Sequence, residues 1–126
     1  MEPIQLFELA SRQAQWLTVR QNVVAGNIAN ANTPHYRAKD VEAFESVLQN
    51  TGIQMAATHR AHFTESPDAA QVTEVSMIDD VQVQQSGNSV AIEEEMMKTG
   101  EIKRDYELNA GLVKAFHRMM LMTVRK

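Results

Sequence analysis

The chain has no cysteine among its 126 residues. Disulfide bonds, thiolate-bound zinc and cysteine nucleophiles are therefore all excluded. A chain without thiols suits a reducing or an oxidising compartment, so this absence does not decide its location. Aromatic residues are also scarce, at 6%, whereas methionine occurs 8 times. Because methionine fills gaps without fixing one arrangement, the composition favours helix-on-helix packing over a rigidly specified core.

Long apolar runs and basic clusters are lacking as well. No run approaches the roughly 18 apolar residues of a membrane-spanning helix. The start of the chain lacks the basic region of a secretory signal, and Glu8, Arg12 and Arg20 interrupt its apolar stretch. We therefore expect any work outside the cytoplasm to use an export route that reads no cleaved leader. The formal net charge of -4, without a basic stripe, disfavours a nucleic-acid partner.

Residues 4–30 predict one long amphipathic helix. Pro3 stands where a first-turn proline is tolerated. At about 1.5 Å per residue the helix would be roughly 40 Å long, too long to be buried in a small domain. Gln21 is polar within the apolar seam, and we interpret it as a position that sets the register. The seam follows the three-and-four spacing of a heptad: Phe7, Ala10, Ala14, Leu17, Gln21, Val24 and Ile28.

A second long helix is predicted from Ser89 or Val90 almost to the end, capped by Asn88 or Ser89. Its acidic start and basic end complement the helix dipole. Gly100 and Gly111 would mark a bend or a close approach. Two neighbouring apolar stripes imply packing against more than one neighbour. The first stripe contains Ile102, Tyr106, Val113, Phe116 and Met120, and the second contains Leu108, Leu112, Ala115, Met119 and Met122.

The middle of the chain has a different pattern. Turn signals are spaced through residues 50–89, and residues 71–77 and 80–84 favour short strands or extended segments. Residues 40–49 predict a short amphipathic helix. The predicted fold is therefore mainly α, with long terminal helices pairing as a coiled coil around an irregular or short-stranded insert. The boundaries are an N-terminal assembly helix at 1–32, the turn and insert at 33–88, and a C-terminal assembly helix at 89–126.

Residues 26–40 read GNIANANTPHYRAKD and are rich in asparagine. Asparagine hydrogen-bonds nearby backbone and tolerates the left-handed conformation that closes helices. Pro34 disfavours further helix and pre-sets a turn. Taken alone, these residues indicate a helix end followed by a turn.

In its place after one amphipathic helix, the segment resembles the motif N-I-A-N-x-x-T-P-G-Y of the flagellar rod and hook family. The matching residues are Asn27, Ile28, Ala29, Asn30, Thr33, Pro34 and Tyr36. His35 stands where that family usually has glycine. Glycine suggests a positive φ angle, which histidine adopts only at some cost, so a turn of a different type is the expectation here. The chain is short, and further similarities to the family follow the motif in order. In both respects it resembles the proximal rod proteins more than the longer distal-rod or hook proteins. Those similarities are at Ala38, Lys39, Asp40, Phe44, Thr58, His59, His62, residues 87–90 and residues 93–96.

The resemblance implies a structural subunit and not an enzyme, with no cofactor, metal or small-molecule substrate. Such subunits are exported by the flagellar type III apparatus and polymerise through their terminal helices into the rod that crosses the periplasm. The implied partners are further copies of the chain, other proximal rod proteins, the adaptor FliE, the membrane-ring protein and the export gate. On the two helical seams, the expected assembly interface contains Phe7, Leu17, Val24, Ile28, Tyr106, Val113, Phe116 and Met120.

Two other functions were weighed. His59 and His62 are three residues apart, with Glu65 nearby, and a metal-dependent enzyme would use such residues, but the spacing alone is a weak signal. Solvated or turn-stabilising histidines are the favoured interpretation. A soluble coiled-coil adaptor or secretion chaperone would share the helices, but it gives no reason for the asparagine-rich turn.

Overall fold

A computed structural model describes residues 3–50, 74–76 and 85–124 of the chain. Two long helices lie at the ends of the described part, and a small strand pair and a short helix lie between them. The elements are α1 Pro3–Ala29, β1 Lys39–Val41, α2 Phe44–Asn50, β2 Glu74–Ser76 and α3 Ile92–Val124. The predicted mainly α fold, with terminal helices that pack against each other, is confirmed.

Helices α1 and α3 run antiparallel, because residues in ascending order on α1 meet residues in descending order on α3. Near the start of α1, the ring of Phe7 meets that of Phe116 edge to face, with centroids 5.7 Å apart. Near its end, Asn27 donates a hydrogen bond to Glu95. Between these points, Leu17, Val24 and Ile102 form a buried cluster, with Trp16 and Ile28 packed against it. Each fully buried aliphatic side chain of this kind contributes about 1.5–3 kcal/mol.

The polar seam position was predicted wrongly. Gln21 is exposed, whereas Arg20 and Asn27 are turned towards α3. Strand β1 contacts the side of α1 that carries Arg20 and Asn27, and the side that carries Gln21 stays exposed to solvent. The polar side chains of α1 that contact α3, Arg20 and Asn27, are thus each one position away from the predicted heptad seam.

The insert begins with a strand, not with the predicted helix. Lys39–Val41 pairs antiparallel with Glu74–Ser76, with Asp40 opposite Val75. Because residues 39–41 are engaged in this ladder, the helix expected over 40–49 begins only at Phe44. The strand expected within 71–77 is confirmed at 74–76. The extended segment expected at 80–84 lies outside the described residues.

Helix α3 begins at Ile92, later than the predicted Ser89 or Val90. Residues 88–90 are buried and contact the end of α1 instead. The glycines inside α3 mark no close approach, because a Cβ added at Gly100 or Gly111 would meet nothing within 4 Å. Within the described ranges, no helix combines the length and apolar character needed to cross a membrane.

Candidate functional site

The site described here is the junction, defined as residues 26–41 together with residues 86–98. It contains the end of α1, the turn after it, β1, and the entry into α3. The asparagine-rich motif lies entirely within it.

Asn27 is completely buried, and every polar atom of its side chain is used. Its amide nitrogen donates to the carbonyl of Lys39 at 2.6 Å and to Oε2 of Glu95 at 3.1 Å. Its amide oxygen accepts from the backbone N–H of Lys39 at 3.0 Å. The side-chain amide therefore pairs with both peptide groups of Lys39, as a neighbouring strand would. Asn27 thereby binds β1, α1 and α3 together.

Asn88 holds the turn that follows α1. Its amide nitrogen lies 2.9, 3.0 and 2.8 Å from the carbonyl oxygens of Asn30, Ala31 and Thr33, and its two N–H groups are shared among these three acceptors. Its amide oxygen accepts from the N–H of Val90 at 2.7 Å. The expectation that Asn88 caps α3 is wrong, because its amide oxygen accepts from Val90, which precedes the first residue of α3, and its amide nitrogen bonds to the turn after α1.

Ser89 does not cap α3 either. Its hydroxyl accepts from the N–H of Ala38 at 2.8 Å, and its own N–H donates to the carbonyl of Tyr36 at 3.1 Å. The ring of Tyr36 packs against a small buried cluster of Ala31, Ala38 and Val90. The two chain segments of the junction are thus joined by backbone and side-chain bonds on both sides of Tyr36.

The remaining motif residues shape the turn itself. The amide nitrogen of Asn30 donates back to the carbonyl of Gly26 at 2.8 Å, and Thr33 donates its hydroxyl proton to Asn30 Oδ1 at 3.1 Å. Ala29 and Pro34 are exposed, so Pro34 acts through its fixed backbone angle and not through burial. Together these residues stop the helix and redirect the chain into β1.

His35 adopts a positive φ angle of 59°, which is the conformation that the family's glycine at this position suggests. Its N–H donates to the carbonyl of Ser86 at 3.0 Å. Directly beside it, Gly87 has φ 76°, and a Cβ added there would lie 2.6 Å from His35 Nδ1. Glycine is thus required at 87 for its conformation and for the space that His35 occupies.

Gly87→Ala is therefore expected to lower the free energy of unfolding by about 2 kcal/mol, from the left-handed backbone and the contact with His35. The same change at Gly111, in the exposed part of α3, is expected to raise it by up to about 1 kcal/mol. Urea unfolding followed by circular dichroism measures both. Equal effects at the two glycines would contradict this account of the turn.

A cluster of charged residues lies between the two helices and β1. Lys98 Nζ is 3.0 Å from Glu95 Oε1 and 3.4 Å from Asp40 Oδ2. Arg20 lies 3.7 Å from Asp40 and 3.5 Å from Glu101. Glu95 is only 2% exposed, and a buried carboxylate is tolerable only when it is paired and hydrogen-bonded. Asn27 and Lys98 supply those bonds.

Burial alone acts to lower the pKa of Lys98. The hydrogen bond to Glu95 and the charges of Asp40, Glu95 and Glu94 outweigh it, so the pKa lies above its ordinary value. Because the pKa of Lys98 is higher in the folded chain than in the unfolded chain, its charge stabilises the fold fully at any pH below the unfolded-state pKa. This stabilisation is lost as pH rises through the folded-state pKa of Lys98.

The free energy of unfolding should accordingly fall as pH rises above about 10.4, the ordinary lysine value. Lys98→Met is expected to make this fall shallower, and Lys114→Met, at an exposed position of α3, should leave its slope unchanged. The measurement is urea unfolding of all three chains between neutral and alkaline pH. If the free energy of unfolding of Lys98→Met fell with pH as steeply as that of the unsubstituted chain, the titration of Lys98 would not contribute to the alkaline loss of stability.

The expected assembly residues divide into three groups. Leu17, Val24 and Ile28 belong to the packing between α1 and α3 within the chain. Phe7 and Phe116 contact each other at the far end of the pair. Tyr106 is half exposed, Val113 is half-buried and Met120 is 36% exposed. A role of these residues in assembly stays a prediction.

A groove runs between the helices near the start of α1, with a volume of about 240 Å³. Asn109 crosses its floor: it is 7% exposed and donates to the carbonyl of Ala10 at 2.8 Å. The groove is lined by Phe7, Ala10, Ser11, Ala14, Tyr106, Asn109, Ala110 and Val113.

Large apolar side chains remain exposed along much of α3. They include the predicted second stripe, in which Leu108, Leu112, Met119 and Met122 are between 51% and 63% exposed. So many large apolar side chains exposed on one helix are more than a single folded chain usually leaves in contact with water. The full set is Ile92, Met96, Met97, Tyr106, Leu108, Leu112, Met119, Met120, Leu121, Met122 and Val124.

Sequence reasoning missed the buried polar residues that connect the elements. Glu95 was assigned to the acidic start of the second helix, and Lys98 and Asn109 were passed over. The available signal was Asn109 itself, a polar residue between two apolar stripes, since such positions often set the pairing of helices. For the metal-site hypothesis, His59 and His62 lie outside the described residues. In the described ranges no three His, Asp or Glu side chains are gathered to hold a metal ion.

The helix pair, its hydrogen-bonded turn and its exposed apolar face define a structural subunit built for association. The sequence profile of the flagella basal body rod protein family matches residues 10–37, which include the asparagine-rich motif. The flagellar basal body rod protein FlgB of Agrobacterium fabrum is 61% identical over 130 residues, covering 100% of this chain and 97% of the relative. FlgB of Cereibacter sphaeroides is 32% identical over 75% of this chain and 73% of the relative. FlgB of Bacillus subtilis is 31% identical over 71% of this chain and 69% of the relative. The chain belongs to the FlgB family of flagellar basal body rod proteins.

Proposed function

We infer that the chain polymerises through its terminal helices into the proximal part of the flagellar rod. The observation that carries this proposal is the exposed apolar surface of α3. The inner seam of the helix pair is already filled by Leu17, Val24 and Ile102. The leucines and methionines outside it are therefore surplus to the fold of a single chain. At about 25 cal/mol per Å² of apolar surface, covering them would favour association strongly.

The partners of this assembly are further copies of the chain, other proximal rod proteins, the adaptor FliE, the membrane-ring protein and the export gate. Export is by the flagellar type III apparatus. The subunit performs no catalysis and uses no cofactor, nucleic acid or small-molecule substrate. The motif supports this role by fixing where α1 ends and where the insert leaves the helix pair, so that every copy presents the same surface.

The proposal is tested in a strain from which the gene for this chain is deleted. We expect the strain to be non-motile and to lack rods, and the intact chain supplied from a plasmid to restore both. Immunoblots of purified basal bodies should then contain the chain at its full length. Motile cells without the gene, or basal bodies that lack the chain, would overturn the proposal.

A further inference from the structure

The groove and part of the exposed apolar surface lie on opposite sides of the helix pair. Ile102 points at α1, and an α-helix turns by about 100° per residue. Counted from Ile102, the groove residues Tyr106, Ala110 and Val113 are rotated by about 20–80° in one sense. Leu108, Leu112 and Met119, which we call the ridge, are rotated by about 80–120° in the other. One side of the pair is therefore concave and the other carries protruding side chains.

The two surfaces have matching shapes. The walls of the groove carry the small side chains of Ala10, Ser11, Ala14 and Ala110, which allow another helix to come close. The ridge offers long, flexible side chains that are more than half exposed. Ridge and groove also occupy nearly the same stretch of α3, so one can meet the other with little axial offset.

The charges beside the two surfaces are complementary. By the same helical geometry, Glu94, Glu101 and Asp105 lie on the ridge side of α3, where Arg20 of α1 pairs with Glu101 and leaves Glu94 and Asp105 as the acidic excess. Lys103 and Lys114 lie on the groove side, with Glu107 between them. Within the described part of the chain, Lys103, Lys114 and Asp105 take part in no ion pair. An acidic flank facing a basic flank favours contact between the two different sides and opposes contact of either side with its own kind.

We propose that the ridge of one copy sits in the groove of the next, with both copies pointing in the same direction. This inference rests on the proposed polymerisation and specifies its contact. Because the two surfaces are different patches on opposite sides, the association is heterologous, and each added copy offers a new ridge. Such a contact builds an extended array and does not stop at a dimer.

The absence of native cysteine makes disulfide trapping a direct test. Ser11→Cys places a thiol in the groove, and Leu112→Cys places one on the ridge; both positions are exposed. Cells with the double variant as their only copy should yield basal bodies in which mild oxidation links the chain into dimers, trimers and larger products. Each single variant should remain monomeric. As a matched control, Ala25→Cys replaces Ser11→Cys at an exposed position roughly 20 Å further along α1, and it should give no ladder with Leu112→Cys.

The outcomes separate this inference from the proposal on which it rests. Dimers from Leu112→Cys alone would mean that ridges meet ridges, and monomers from the double variant in assembled basal bodies would mean that the groove is not occupied by a ridge. Either result overturns the inference while leaving polymerisation intact. Absence of the unsubstituted chain from basal bodies would overturn both.

Discussion

Asn27→Ala is expected to lower the free energy of unfolding by about 3–5 kcal/mol, a large effect for one polar side chain. The substitution removes three hydrogen bonds at a site without exposure to water. It takes one donor from Glu95, which is only 2% exposed, and both bonds that Asn27 makes to the backbone of Lys39. A hydrogen bond to a charged group contributes about 1.5–3 kcal/mol and a neutral one about 0.5–1.5 kcal/mol, and together these losses account for the expected effect.

Asn32→Ala is the matched control, because Asn32 lies in the same asparagine-rich turn but is exposed. Its effect should stay within about 0.5 kcal/mol. Urea unfolding of the purified chains, followed by circular dichroism, measures both changes. If the two substitutions had equal effects, the bonds of Asn27 would not be holding β1 and α3 to α1.

Asn27→Asp distinguishes hydrogen bonding from shape. Aspartate keeps the size and one acceptor oxygen, but it loses both N–H donors and places a second carboxylate beside Glu95. We expect it to destabilise the chain at neutral pH at least as much as alanine does. Stability close to that of the unsubstituted chain would show that the shape of residue 27 matters and its donors do not.

The junction also shows where prediction from sequence reaches its limit. The turn after α1 was predictable because helix ends are local: asparagines, a threonine and a proline act within a few residues of one another. The positive φ angle at His35 was suggested only by the glycine that the family carries at this position, because histidine itself rarely adopts it. The partners of Asn27 and Asn88 were not predictable. Asn27 bonds to Lys39, 12 positions away, and to Glu95, 68 positions away, while Asn88 bonds to carbonyls 55 to 58 positions away, and no local pattern encodes these pairs.

The start of α3 was misplaced by the same long-range effect. Ser89 and Val90 have no local reason to be excluded from a helix. In the folded chain Ser89 bonds with Ala38 and Tyr36, and Val90 is buried against Ala31 and Ala38. These contacts hold residues 88–90 outside the helix, and α3 begins after them, at Ile92.

Apolar periodicity located the faces of the helices but did not separate internal packing from external packing. Leu17 and Leu112 both follow helical spacing, yet Leu17 is 1% exposed and Leu112 is 57% exposed. A stripe in a sequence reports that a face is apolar, and the folded chain decides whether that face meets its own partner helix or another molecule. Leu17→Asp would therefore disrupt the chain's own fold before it tested any assembly.

Leu112→Asp is the substitution that tests assembly alone, and we expect it to abolish motility. A leucine side chain buried at a contact contributes about 1.5–3 kcal/mol, and an aspartate at the same place adds the cost of burying a charge. Every tenfold loss in affinity corresponds to about 1.4 kcal/mol, so each subunit contact should weaken by more than tenfold. Because the contact is repeated in every copy, rods should be absent from purified basal bodies.

The fold of the single chain should survive this change, since residue 112 is exposed on α3. Gln15→Asp introduces the same charge at another exposed helical position and should leave motility intact. Both variants should unfold in urea within about 0.5 kcal/mol of the unsubstituted chain. The ridge is the assembly surface only if Leu112→Asp abolishes motility, Gln15→Asp does not, and the two variants have the same free energy of unfolding. Motile cells carrying Leu112→Asp would place the contacts between subunits elsewhere on the helix pair.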